Sequence, residues 1–76
     1  MYNVKVNYIR EAGTELEAWL AAVTHVALYL SECPELEEVD VRLAAGNVLT
    51  LGEAGSGLEE VLEYDFVQGI WVYPEA

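Results

Sequence analysis

From Asn3 to Ile9 the chain alternates. Val4, Val6 and Tyr8 fall on one side, and Asn3, Lys5 and Asn7 on the other. A period of two predicts a half-buried strand. After Gly13 the period lengthens. Leu16, Trp19, Leu20, Val23, Val26, Ala27 and Leu30 recur at helical spacing and predict the core stripe of a helix from about Thr14 to Glu32. Thr14 followed by Glu17 fits a capping box at its start, and Pro34 stops it. "EVDVRL" (38–43) and "VLTLG" (48–52) alternate again around a turn at Gly46–Asn47, which predicts a hairpin. Ser56 with Glu59 repeats the capping pattern. It predicts a short helix over "GLEEVLEY", with Leu58, Val61 and Leu62 inward. "GIWVY" (69–73) is the last expected strand.

The expected order is strand, helix, strand, strand, helix, strand in one α+β domain spanning 1–76. That order resembles the ferredoxin-like βαββαβ pattern, a four-stranded antiparallel sheet under one long and one short helix. The resemblance is of element order and brings no functional residues with it.

The long helix has an anomaly. Opposite its core stripe, where charge is expected, stand Ala18, Ala21, Ala22, His25, Leu28 and Tyr29. A helix apolar all round is normally buried all round. A single sheet covers one side, so these six residues predict the interface of a twofold homodimer. The competing reading is that the alanines are surface residues kept for their helix propensity.

Charge narrows the class of partner. Fourteen acidic residues face three bases, Lys5, Arg10 and Arg42, for a net charge of −11. Such a chain is repelled by nucleic acid and by anionic membranes and is drawn to basic surfaces. "SECPELEEVD" concentrates Glu32, Glu35, Glu37, Glu38 and Asp40, and "GLEEVLEYD" adds Glu59, Glu60, Glu63 and Asp65. These two sets are the candidate partner-binding residues. The charge exceeds the magnitude of about 2 to 8 that keeps a small domain dispersed, although plain solvation remains the alternative.

No catalytic or cofactor signature appears. The single histidine, His25, has no second histidine for a metal pair. Cys33 is flanked by Glu32 and Glu35, which disfavour a thiolate. "GEAGSG" lacks the lysine of a phosphate loop, and the acids lack calcium-loop spacing. A non-enzymatic protein without cofactor or metal is expected. The lone cysteine excludes an intrachain disulfide and suits a reducing cytoplasm. The N-terminus lacks the pattern of a signal peptide, and the longest near-apolar run, "AWLAAVTHVALYL", is shorter than a membrane span.

Small size, "SECPELEEVD", "GLEEVLEYD" and the scarcity of Lys and Arg resemble the small acidic phage-encoded inhibitors of the anti-CRISPR and DNA-mimic kind. That resemblance implies a non-enzymatic inhibitor in the host cytoplasm. It would bind a nucleic-acid-handling complex and block its basic DNA site or its assembly. The alternative is a structural or regulatory homodimer whose acidity only solvates it.

Overall fold

The computed structural model describes residues 3–74. Its elements are β1 (Lys5–Arg10), α1 (Leu16–Glu32), β2 (Glu38–Ala44), β3 (Val48–Glu53), β4 (Glu60–Asp65) and β5 (Ile70–Val72). The strands form one sheet in the order β1-β2-β3-β4-β5. β1 and β2 are parallel neighbours, joined by α1, and the other pairings are antiparallel. The expected ferredoxin-like arrangement is therefore corrected. Among the described residues the sheet has five strands and is mixed, and a single helix accompanies it.

The segment expected as the second helix is β4. Its apolar residues satisfy both periods: Leu58, Val61 and Leu62 at helical spacing, and Leu62 and Tyr64 at strand spacing. A run this short is decided by tertiary pairing rather than propensity. β3 offers an unpaired edge, and Leu49↔Leu62 and Thr50↔Val61 fill it. Ser56 caps no helix. Its hydroxyl accepts from the Leu58 N–H at 3.1 Å and donates to the Glu53 carbonyl at 2.8 Å, closing a turn.

The Thr14–Glu17 capping box is also absent. Glu15 is the N-cap and makes no side-chain capping bond. The Thr14 hydroxyl instead donates to the Glu11 carbonyl and accepts from the Arg10 Nε. The Glu15 N–H is taken by the Asn47 side chain at 2.8 Å, from the β2–β3 turn.

The largest correction concerns the face that α1 buries. Ala18, Ala22 and Val26 are fully buried, with Val39, Val41, Leu43, Leu49, Leu51 and Leu62 of the sheet in the same cluster. Leu16, Leu20 and Val23, expected in the core, are 59%, 57% and 39% exposed. The sheet supplies the bulk, so small helix residues are what let the two layers close to native packing density. Trp19 covers one flank. Its ring meets Tyr8 edge-on at 5.7 Å and lies under the Arg10 guanidinium at 5.8 Å. Among the described residues, no helix covers the other face of the sheet.

Candidate functional site: an acidic pole

The registers bring one end of four elements together. α1 ends at Glu32, β2 begins at Glu38, Val39 pairs with Glu53 at the end of β3, and Leu51 pairs with Glu60 at the start of β4. Glu32, Glu35, Glu37, Glu38, Glu53, Glu59 and Glu60 therefore share the end of the molecule where α1 terminates. Lys5, paired with Glu38 in the β1–β2 ladder, is the one base at that end among the described residues.

This placement is electrostatically unfavourable. The C-terminus of a helix carries partial negative charge and favours cations, yet the last turn of α1 has no basic residue. Side chains between the acids register the field. Burial pushes the Tyr29 hydroxyl above its ordinary pKa, and Cys33, Glu60, Glu53 and Glu35 push it further. Burial likewise raises the Cys33 thiol, with Glu35, Glu32 and Glu60 adding to it. Both groups stay protonated at neutral pH, so Cys33 is a poor nucleophile there.

On the open face, Asn7 organises the next acids along. Its Nδ2 donates to Glu38 Oε2 and to Asp40 Oδ1, each at 2.8 Å. Lys5 Nζ lies 3.9 Å from Glu38. Glu59 joins the same face, lining a concavity of about 310 Å³ with Ile9, Asp40, Val41, Arg42 and Thr50. Gly52 permits this. A β-carbon on Gly52 would stand 2.5 Å from the Leu58 carbonyl oxygen and 3.2 Å from the Glu59 α-carbon, so only glycine lets the incoming loop cross there.

The two acidic sets expected from the sequence are thus regrouped. Glu32, Glu35, Glu37 and Glu38 meet at the pole, joined by Glu59 and Glu60, while Asp40 lies just above on the open face. Glu63 and Asp65 are farther along β4, away from the pole. Asp65 acts locally, because its carboxylate accepts the N–H groups of Val67 and Gln68 and shapes the β4–β5 turn. Glu53, Asn7 and Gly52 escaped the sequence reading. Glu53 stands outside both acidic runs, and strand register is invisible before the sheet is known.

The six residues expected at a dimer interface divide differently. Ala18 and Ala22 are in the core and reach no surface. Ala21, His25 and Tyr29 are half-buried, and Leu28 is 60% exposed. Ala21, His25 and Leu28 line an apolar groove of about 380 Å³ with Thr24, Gly69, Ile70 and Trp71.

Among the described residues, no three His, Cys, Asp or Glu side chains converge closely enough to hold a metal ion. No helix among them is long and apolar enough to cross a membrane. Comparison with protein-family models, with curated proteins and with solved structures finds no match for the chain.

Proposed function

We propose that this chain is a non-enzymatic inhibitor that presents its acidic pole to a basic, nucleic-acid-binding surface of a partner complex. The observation that carries this reading is the pole itself. Carboxylates from α1, β2, β3 and β4 and their connections meet at a helix C-terminus, where they oppose folding stability. Asn7 adds order by holding Glu38 and Asp40 in fixed relation. Dense negative charge of fixed geometry suits a groove built for phosphates, and contacts of this kind act strongly on association rate. In this reading the chain occupies the groove, excludes nucleic acid, works in the host cytoplasm and has no affinity for nucleic acid itself.

The test is displacement of a labelled DNA duplex from purified RNA-guided nuclease complexes, read by fluorescence anisotropy. Two variants remove equal charge. Glu32, Glu35 and Glu37 become Gln in one, and Glu15, Glu17 and Glu63 in the other. The reading expects the wild type and the second variant to displace DNA and the first to fail. Equal weakening of both variants reduces the pole to a net-charge effect. A wild type that displaces nothing, or that binds the duplex itself, overturns the reading.

A second reading has its own observation. Leu16, Leu20 and Leu28 are more than half exposed on a single helix, which favours a homodimer with a structural or regulatory role and an acidity that only solvates it. Leu28 shares a concavity with Glu32 and Glu60 of the pole, but Leu16 and Leu20 stand at the opposite end of α1, so self-association through those two does not depend on the inhibitory reading.

A further inference from the structure

β1 is a free edge among the described residues. In its parallel pairing with β2, the Lys5 N–H donates to the Glu37 carbonyl and the Glu11 N–H to the Leu43 carbonyl, both at 2.9 Å. Odd-numbered residues therefore turn their backbone groups inward. The backbone groups of Val6, Tyr8 and Arg10 turn outward, and among the described residues no strand takes them. Proteins commonly blunt such edges with short strands, charged side chains, proline or bulges, and of these β1 carries only the charges of Lys5 and Arg10, at its two ends. β5, at the far end of the sheet, has only three residues. β1 has six, without proline and in continuous register with β2.

The surface beside this edge is apolar. Trp19 marks the side of α1 that leans over β1, because it packs on Tyr8. Leu16 and Val23 stand three before and four after Trp19 and so border its flank. Leu20 stands four after Leu16 and three before Val23 and continues that stripe outward, and all three are exposed. The charge is also local. A body of −11 repels its own copy, but "KVNYIR" contains no carboxylate and two of the three bases.

We propose that a second copy of this chain pairs antiparallel with β1 about a twofold axis at Tyr8. The two sheets become one continuous sheet, with both α1 helices side by side on the same face. This rests on the self-association reading above and not on the acidic pole. The register follows from which backbone groups are free. Hydrogen-bonded pairs must join even residues to even residues, and an axis at Tyr8 sets Tyr8 opposite itself and Val6 opposite the copy's Arg10. It also sets Lys5 opposite the copy's Glu11, an opposite-charge cross-strand neighbour that adds to the bond Glu11 already makes with Arg42 of its own chain. Axes at Asn7 or Ile9 would set Lys5 opposite Ile9 or Gly13 and lose that pair.

Sedimentation equilibrium across micromolar concentrations is the first measurement, with wild type, Tyr8→Pro and Leu20→Glu. From the backbone, proline at position 8 removes only an outward N–H, so the β1–β2 ladder survives. The Tyr8 ring and its edge contact with Trp19 are lost as well, so Tyr8→Ala, which loses the same ring and keeps the N–H, is measured beside it as the control. Relative to that control, Tyr8→Pro deletes both hydrogen bonds at the axis and weakens association by roughly tenfold or more. Leu20→Glu leaves the edge intact and weakens association through the helix flank. The second measurement is oxidative cross-linking in a Cys33→Ser background, with single cysteines at positions 6, 8 and 9. A hydrogen-bonded pair about 5.5 Å apart at Cα suits a disulfide, so Tyr8→Cys cross-links fastest. A dimeric wild type, a Tyr8→Pro weaker than Tyr8→Ala and that cross-linking order support the proposal. A wild type that is monomeric throughout overturns self-association altogether. A dimer whose Tyr8→Pro variant associates as tightly as Tyr8→Ala, or that cross-links no faster at position 8, overturns the edge while self-association stands. If Tyr8→Pro does not fold, the cross-linking order decides.

Discussion

Val23 and Val26 lie less than one turn apart on α1, and replacing each with alanine tests which face of the helix the sheet buries. The chemistry is the same at both sites and the surroundings differ. Val26 is 0% exposed within the core cluster, and Val23 is 39% exposed on the outer flank. Each substitution deletes two carbon groups. At about 0.8 kcal/mol per buried methylene, Val26→Ala forfeits about 1.6 kcal/mol of transfer free energy. Whatever space the neighbours fail to fill adds about 24 cal/mol for each Å³. The sum is a loss of about 2 to 3 kcal/mol. Val23→Ala loses burial of a group already partly wet, about 1 kcal/mol at most. Alanine's better helix propensity returns up to about 0.7 kcal/mol of that. For a domain of this size, 1 kcal/mol moves Tm by roughly 4–8 °C. Val26→Ala should therefore melt roughly 8–24 °C below wild type, and Val23→Ala within a few degrees of it. Far-UV circular dichroism melts and urea titrations by tryptophan fluorescence measure both, at concentrations low enough to keep the chain monomeric. A helix buried through its leucine stripe would make the two losses similar. Equal losses would refute the assignment of the alanine face to the core.

Gly52→Ala forces a β-carbon against the Leu58 carbonyl oxygen. Because backbone cannot swing aside as a side chain does, it should cost about 1–3 kcal/mol, and an unchanged urea midpoint would contradict the close crossing. The Arg42 guanidinium and then the Ala45 N–H hold the Glu11 carboxyl below its ordinary pKa. A depressed folded value stabilises above the unfolded pKa of about 4.3 and loses that contribution as pH falls through the folded value. The urea midpoint of wild type should thus fall more steeply below about pH 4 than that of Glu11→Gln, whereas parallel curves would show that the pair contributes nothing.

Much of this protein is local and was legible in the sequence. Alternation placed β1, β2, β3 and β5. The long apolar run and Pro34 placed α1, and Gly46–Asn47 placed the hairpin turn. Net charge was a matter of counting, and four of the seven carboxylates at the pole stood in "SECPELEEVD".

Tertiary structure decided the rest, because in each case local pattern allowed two answers. "GLEEVLEY" satisfies both a helical and a strand period, and the unpaired edge of β3 selected the strand. α1 is apolar on nearly every side, so its own sequence could not say which side is inward. The Val and Leu residues of β2 and β3 decided it, because a bulky sheet closes on small partners, and Ala18 and Ala22 are the small partners available. That choice sent Leu16, Leu20 and Val23 outward beside β1. The pole arose the same way. Glu53 and Glu60 are distant in sequence from Glu32, and they reach the end of α1 only because pairing of β2 with β3 and of β3 with β4 brings strand ends together that no local period connects.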